Sequence, residues 1–162
     1  MQDRLVCRPR NDHWQGHDMA VRHNKRLMRM HRTLHKTHAA RKSNLLSNLW
    51  WNARKAYFYW WLERRWGGFI DLRASIGDDI DFLHGPFGVF IANGAVIGDR
   101  ATIGHKVTIG LSADWRQRDH EAPIIGNDVL IGAGTSIIGR CRIGDGAQIG
   151  AGAAHRLGLR HR

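Results

Sequence analysis

The chain has 162 residues and a formal net charge of +11, from 25 Lys and Arg against 14 Asp and Glu. Its only cysteines, Cys7 and Cys141, exclude a disulfide framework and a cysteine-built zinc site. No apolar run reaches the ~18 residues of a spanning helix, and the basic N-terminus lacks the apolar core and cleavage site of a secretory signal, so a cytoplasmic setting is expected.

Charge and glycine divide the chain. Residues 1–66 carry 15 basic and 4 acidic side chains, a net of +11, whereas residues 67–162 carry 10 of each. Of the 19 glycines, 18 follow residue 66, and six of the seven tryptophans lie at or before Trp66. Residues 1–42 are rich in Arg, Lys and His, with only weak helical spacing at Leu27, Met30 and Leu34. They are expected to form a flexible, solvated basic arm.

Residues 43–68 read as one aromatic-rich helix, with Ser43 as N-cap and Gly67-Gly68 as the stop. Leu46, Trp50, Ala53, Tyr57, Trp60 and Trp61 recur at helical spacing. Such a face packs on the following domain or a sister subunit, or lies on a membrane surface between its basic flanks.

A repeat dominates residues 69–154. Stepping by six gives Ile70, Ile76 and Phe82; then, after three extra residues, Ile91, Ile97, Ile103 and Ile109; then, after a longer insertion, Ile125, Ile131, Ile137, Ile143 and Ile149. Eleven of these twelve are Ile, and Gly follows in eight cases. Four places on, the residue is usually small or β-branched, as at Ala95, Ala101, Val107, Val129 and Cys141. The pattern predicts a parallel β-helix with three flat sides, each hexad making one short strand and one corner. The Ile points inward and Gly supplies the corner dihedrals. Twelve units make about four coils, a prism roughly 20 Å tall at the ~4.8 Å strand spacing. Residues 155–162 form a short basic tail.

The pattern Ile-Gly-x-x-Ala/Val-x resembles the hexapeptide-repeat acyltransferases, whose fold is a left-handed parallel β-helix. The string His84-Gly85-Pro86-Phe87-Gly88-Val89-Phe90-Ile91 and the later run Pro123 to Gly134 are similar to the serine acetyltransferase branch and its sugar-acetylating relatives. The resemblance implies an acetyl-CoA-dependent O-acetyltransferase, with serine as the nominal acceptor and a place in cysteine biosynthesis, or a sugar hydroxyl as the alternative acceptor. It implies His84 as the general base, with Asp71, or less directly Asp81, orienting it. It implies His120 and Arg118, with Arg116, as acceptor-binding residues in the long loop, and Ala133 and Ala151 as the small residues against which CoA lies. It also implies a homotrimer with sites between subunits, and no metal.

A carbonic-anhydrase-like zinc site on His84, His105 and His120 lacks that family's clustered spacing. A non-catalytic binding role would set the basic arm against nucleic acid or anionic lipid, with residues 43–66 on a membrane surface; of these partners nucleic acid is the less expected. The sequence departs from the branch at Gly110-Leu111-Ser112-Ala113-Asp114, where relatives carry a Gly-Gly-Thr-Gly-Lys-like segment. It departs again after Ala153, where the expected consequence is loss of the last strand and of a basic CoA contact, with impaired activity.

Overall fold

The computed structural model describes residues 15–39, 45–112 and 122–156. Two helices, α1 (Gln15–Ala39) and α2 (Leu45–Trp66), precede thirteen short strands that wind into a three-sided, left-handed β-helix. The first sheet stacks β1 (Phe69–Ile70), β4 (Phe90–Ile91), β7 (Thr108–Gly110), β10 (Ser136–Ile138) and β13 (Ala154–Arg156). The second stacks β2 (Ser75–Ile76), β5 (Val96–Ile97), β8 (Ile124–Ile125) and β11 (Arg142–Ile143). The third stacks β3 (Asp81–Phe82), β6 (Thr102–Ile103), β9 (Leu130–Ile131) and β12 (Gln148–Ile149). All pairings are parallel.

Register runs through the repeat residues. Ile70, Ile91, Ile109 and Ile137 align up the first sheet, and Phe82, Ile103, Ile131 and Ile149 up the third. Those in the first three coils are almost fully buried and make one continuous core. The strand expected to be lost is present: Ala154–Arg156 pairs with β10, setting His155 opposite Ile137. The β-helix therefore continues two residues into the segment read as a tail.

The repeat glycines act differently from expectation. Gly77, Gly98, Gly104, Gly126 and Gly132 have no left-handed φ. A Cβ on Gly98 would lie 2.6 Å from the Gly126 carbonyl, and one on Gly132 2.4 Å from the Ala151 nitrogen. Glycine is required there because the next coil passes too close for a side chain. The left-handed residues come three places after the inward Ile at the second corner, at Asp79, Arg100 and Asp128. At that corner a polar ladder ties the coils. Asp99 Oδ1 accepts from the Asp78 N–H at 2.7 Å, Asn127 Oδ1 from Asp99 N–H at 2.8 Å, and Asp145 Oδ1 from Asn127 N–H at 2.7 Å.

Residues 15–39, expected as part of a flexible arm, form a helix seated across the first coil. That coil has no strand beneath it, so its carbonyls need other donors. Asn24 Nδ2 donates to Phe82 O and Asp81 Oδ1, Arg32 Nη2 to Gly77 O, and His31 Nε2 to Asp71 O at 3.1 Å. His35 Nδ1 lies 2.7 Å from Leu72 O, and Arg32 also pairs with Asp78. Leu27, Met28 and Leu34 fill the space between these bonds. The helix is a cap, and Asn24 and His31 are buried in it because the prism's open end is polar.

The second helix packs Phe58, Leu62 and Trp66 on the prism. Of the stripe read from sequence, Leu46, Trp50, Tyr57 and Trp60 are exposed on the side away from the prism, whereas Trp61 is half-buried against the core.

Candidate active site

The third corner of the prism, between the third and first sheets, gathers most of the described residues singled out by sequence. Counting back from Ile91, Ile109, Ile137 and His155, its regular positions are Phe87, His105, Ala133 and Ala151, one per coil. Backbone bonds join them: Lys106 N–H to Phe87 O at 2.7 Å, Gly134 N–H to His105 O at 2.9 Å, and Gly152 N–H to Ala133 O at 2.8 Å.

The three extra residues of the first insertion fall at this corner and displace His84 from the regular column. His84 is exposed and adopts φ +64°, a left-handed conformation uncommon outside glycine. Its loop is nonetheless fixed. Gly85 N–H donates to Phe82 O at 2.9 Å, Leu83 N–H to Ile103 O at 3.0 Å, and Gly88 N–H to Trp66 O at 2.8 Å. The last bond uses a terminal carbonyl of α2, whose end is closed by left-handed Gly67 donating to Glu63 O. The Trp66 ring packs edge-on against Phe87, centroids 4.6 Å apart, and lies directly under Gly85. A Cβ on Gly85 would fall 2.4 Å from that ring. Trp66 and Gly85 thus set the height of His84 above the corner. Sequence reasoning missed this pair, although an aromatic residue ending a helix beside Gly67-Gly68 was the available signal.

Asp71 is not brought to His84. It lies at the first corner, after β1, and both its carboxylate oxygens are held by Arg73: Oδ1 accepts the Arg73 N–H at 2.8 Å and Nε at 3.0 Å, Oδ2 accepts Nη2 at 3.0 Å. Burial alone would raise the Asp71 pKa, but the Arg73 hydrogen bonds and charge outweigh it and hold the group below the ordinary carboxylate value. Asp81 accepts from Asn24. His120, Arg118 and Arg116 lie outside the described residues. Among the described residues no three His, Cys, Asp or Glu side chains converge as metal ligands do. Cys141 is buried in the core, and burial raises its thiol pKa, which suits packing rather than nucleophilic chemistry.

Above the histidines the corner becomes small. Ala133 and Ala151, with Gly132, Gly134, Gly150 and Gly152 beside them, leave the backbone of the third and fourth coils accessible. A slender chain could lie against that backbone, and the imidazole of His84 sits at the foot of the same corner.

Residues 122–154 match the family model described as bacterial transferase hexapeptide (six repeats). The chain is similar to hexapeptide-repeat transferases and to serine acetyltransferases. The serine acetyltransferase of Helicobacter pylori strain 26695 is 40% identical over 80 residues, 49% of this chain and 45% of that protein. The structure of Neisseria gonorrhoeae serine acetyltransferase in complex with serine superposes with TM-score 0.61 at 31% identity, covering 79% of this chain and 47% of that one. A serine acetyltransferase structure in complex with CoA gives TM-score 0.59 at 25% identity, covering 79% and 47%. The chain spans less than half the length of these relatives.

Proposed function

We propose that the chain is an acetyl-CoA-dependent O-acetyltransferase with serine as the nominal acceptor and His84 as general base. The reading rests on one observation: a strained, exposed His84, locked by α2, stands at the corner whose upper coils offer only small side chains. In this reaction the neutral imidazole takes the acceptor hydroxyl proton as the oxygen attacks the thioester carbonyl. The carbon–sulfur bond breaks, and the imidazolium returns its proton to the CoA sulfur, leaving an acetyl ester and free CoA. The pantetheine chain is assigned to the groove beside Ala133 and Ala151. His120 and Arg118 are assigned to the acceptor.

A homotrimer is part of the proposal. Val96 and Ile124, paired in register on the second sheet, are exposed apolar residues on a flat face, as a subunit contact requires. No helix among the described residues is long and apolar enough to cross a membrane; the proposed setting is cytoplasmic. A sugar hydroxyl is the second acceptor reading, since the segment Gly110-Leu111-Ser112 departs from the branch pattern where acceptor and cofactor contacts are expected.

The test is thiol release from acetyl-CoA by the purified chain, with L-serine and with a panel of sugars, beside His84→Ala. Serine-dependent release lost in the variant supports the reading. Release with sugars alone moves the acceptor and keeps the mechanism. A folded protein that releases no thiol with any acceptor, or a fully active His84→Ala, overturns it.

A further inference from the structure

The second helix is apolar on two opposite faces. Phe58, Leu62 and Trp66 take up one face against the prism. The other carries Leu46, Leu49, Trp50, Tyr57 and Trp60, with Leu49 68% and Trp50 72% exposed. Successive members are three, one, seven and three residues apart, so all fall on one side of a 3.6-residue helix. The stripe runs along about two thirds of α2 and is continuous with a groove of about 350 Å³ between the helices, lined by Met30, Leu34, Trp50, Ala53, Arg54 and Tyr57. An apolar area of this length facing water marks an interaction surface rather than scattered exposure.

Charge identifies the partner. Four of the five charged residues of α2, Arg54, Lys55, Arg64 and Arg65, are cations, and Glu63 is the single carboxylate. Arg54 and Arg64 flank the stripe and are exposed, and Arg26 and Arg29 on α1 are also exposed. A second copy docked stripe to stripe would confront these cations with their own kind and only Glu63 to balance them. An anionic bilayer offers an apolar interior for Leu and Trp and phosphates for Arg in the same plane. Trp and Tyr favour that boundary because their rings are amphipathic.

We propose that α2 lies in the surface of anionic membranes through its Leu46–Trp60 stripe, with the prism held on the aqueous side. The inference is independent of the reaction proposed above, because the stripe faces away from the prism.

The test is co-sedimentation of the full chain with phosphatidylglycerol-containing vesicles and with phosphatidylcholine vesicles, with tryptophan emission recorded. Binding to the anionic vesicles, a blue shift and weakening by salt are expected. Leu49→Asp removes about three methylene equivalents from the buried face, which reduces partitioning roughly fiftyfold. Trp60→Asp should act similarly, and both variants should keep the circular dichroism and melting temperature of the parent, since neither side chain packs on the core. Tyr57→Ser, a milder change on the same stripe, should give an intermediate loss. Absence of binding to either vesicle overturns the proposal. So does binding that Leu49→Asp leaves unchanged, or a fall in oligomeric mass in these variants without loss of vesicle binding, which would assign the stripe to a second copy.

Discussion

Alanine at two equivalent repeat glycines should have opposite effects on stability. Gly98 and Gly144 both follow an inward isoleucine of the second sheet, Ile97 and Ile143, and neither has a left-handed φ. A Cβ on Gly98 would lie 2.6 Å from the Gly126 carbonyl carbon and oxygen and from Asn127 Oδ1. No rotamer relieves contact with backbone, so the coils must separate. That strains the Gly98 N–H bond to Ile125 O at 2.9 Å and the Asp99 N–H bond to Asn127 Oδ1 at 2.8 Å. Overpacking of this kind costs about 1–3 kcal/mol, and a weakened hydrogen bond about 1 kcal/mol, so Gly98→Ala should cost about 2–4 kcal/mol. A Cβ on Gly144 meets no described atom within 4 Å. There the substitution only restricts the unfolded chain, a gain of about 0.4–1 kcal/mol. Urea denaturation of the two variants beside the parent measures both; in thermal melts about 1 kcal/mol corresponds to roughly 2–4 °C at this size. Equal destabilisation of the two would refute coil proximity as the reason for glycine and return the explanation to backbone dihedrals. A neutral Gly98→Ala would refute the stacking distance itself.

Ile109→Ala, deep in the first-sheet column, should cost about 2–5 kcal/mol by urea denaturation, and Ile149→Ala in the half-buried last coil clearly less. Burial lowers the His31 pKa below its ordinary 6.5, while its hydrogen bond to the Asp71 carbonyl opposes the shift. The unfolded chain therefore binds the proton first: stability is full above pH 6.5 and is lost as the pH falls from there through the folded-state value. His31→Gln should flatten that part of a stability–pH curve, leaving the acid loss from Asp71, whose pKa is lowered, to appear below its ordinary 3.8. Gly85→Ala should lower acetyl transfer while leaving most of the prism's stability intact, because the Cβ is forced against Trp66 and lifts His84. Activity equal to the parent's would show that the height of the His84 loop is immaterial.

The prism was legible because an inward side chain every six residues leaves a periodic record in sequence, and Ile kept it at eleven of twelve positions. The reason for the glycines was not legible, since close approach of one coil to the next and a left-handed turn favour the same residue. The cap helix was hidden for a different reason. Asn24, His31 and His35 read as solvated polar residues that break an apolar stripe, yet in the folded chain they meet the carbonyls of a coil with nothing beneath it. Hydrophobic periodicity counts such residues as outward, whereas the open end of a solenoid is the one surface where inward positions must be polar.

The same limit governed the site. His84 is proposed as the base from the His-Gly string, but its partner was sought by counting hexads, and the count fails where the repeat is interrupted. Three extra residues push His84 out of the column that Phe87 occupies, so its surroundings come from the end of α2 rather than from the coil before it. Asp71, close in the count, belongs to another corner and to Arg73. An insertion that frees a side chain from the repeat also frees it from the repeat's arithmetic. In such a solenoid a candidate catalytic position is therefore better sought where the register breaks and a non-repeat element closes the gap, as Trp66 does beside the proposed base His84.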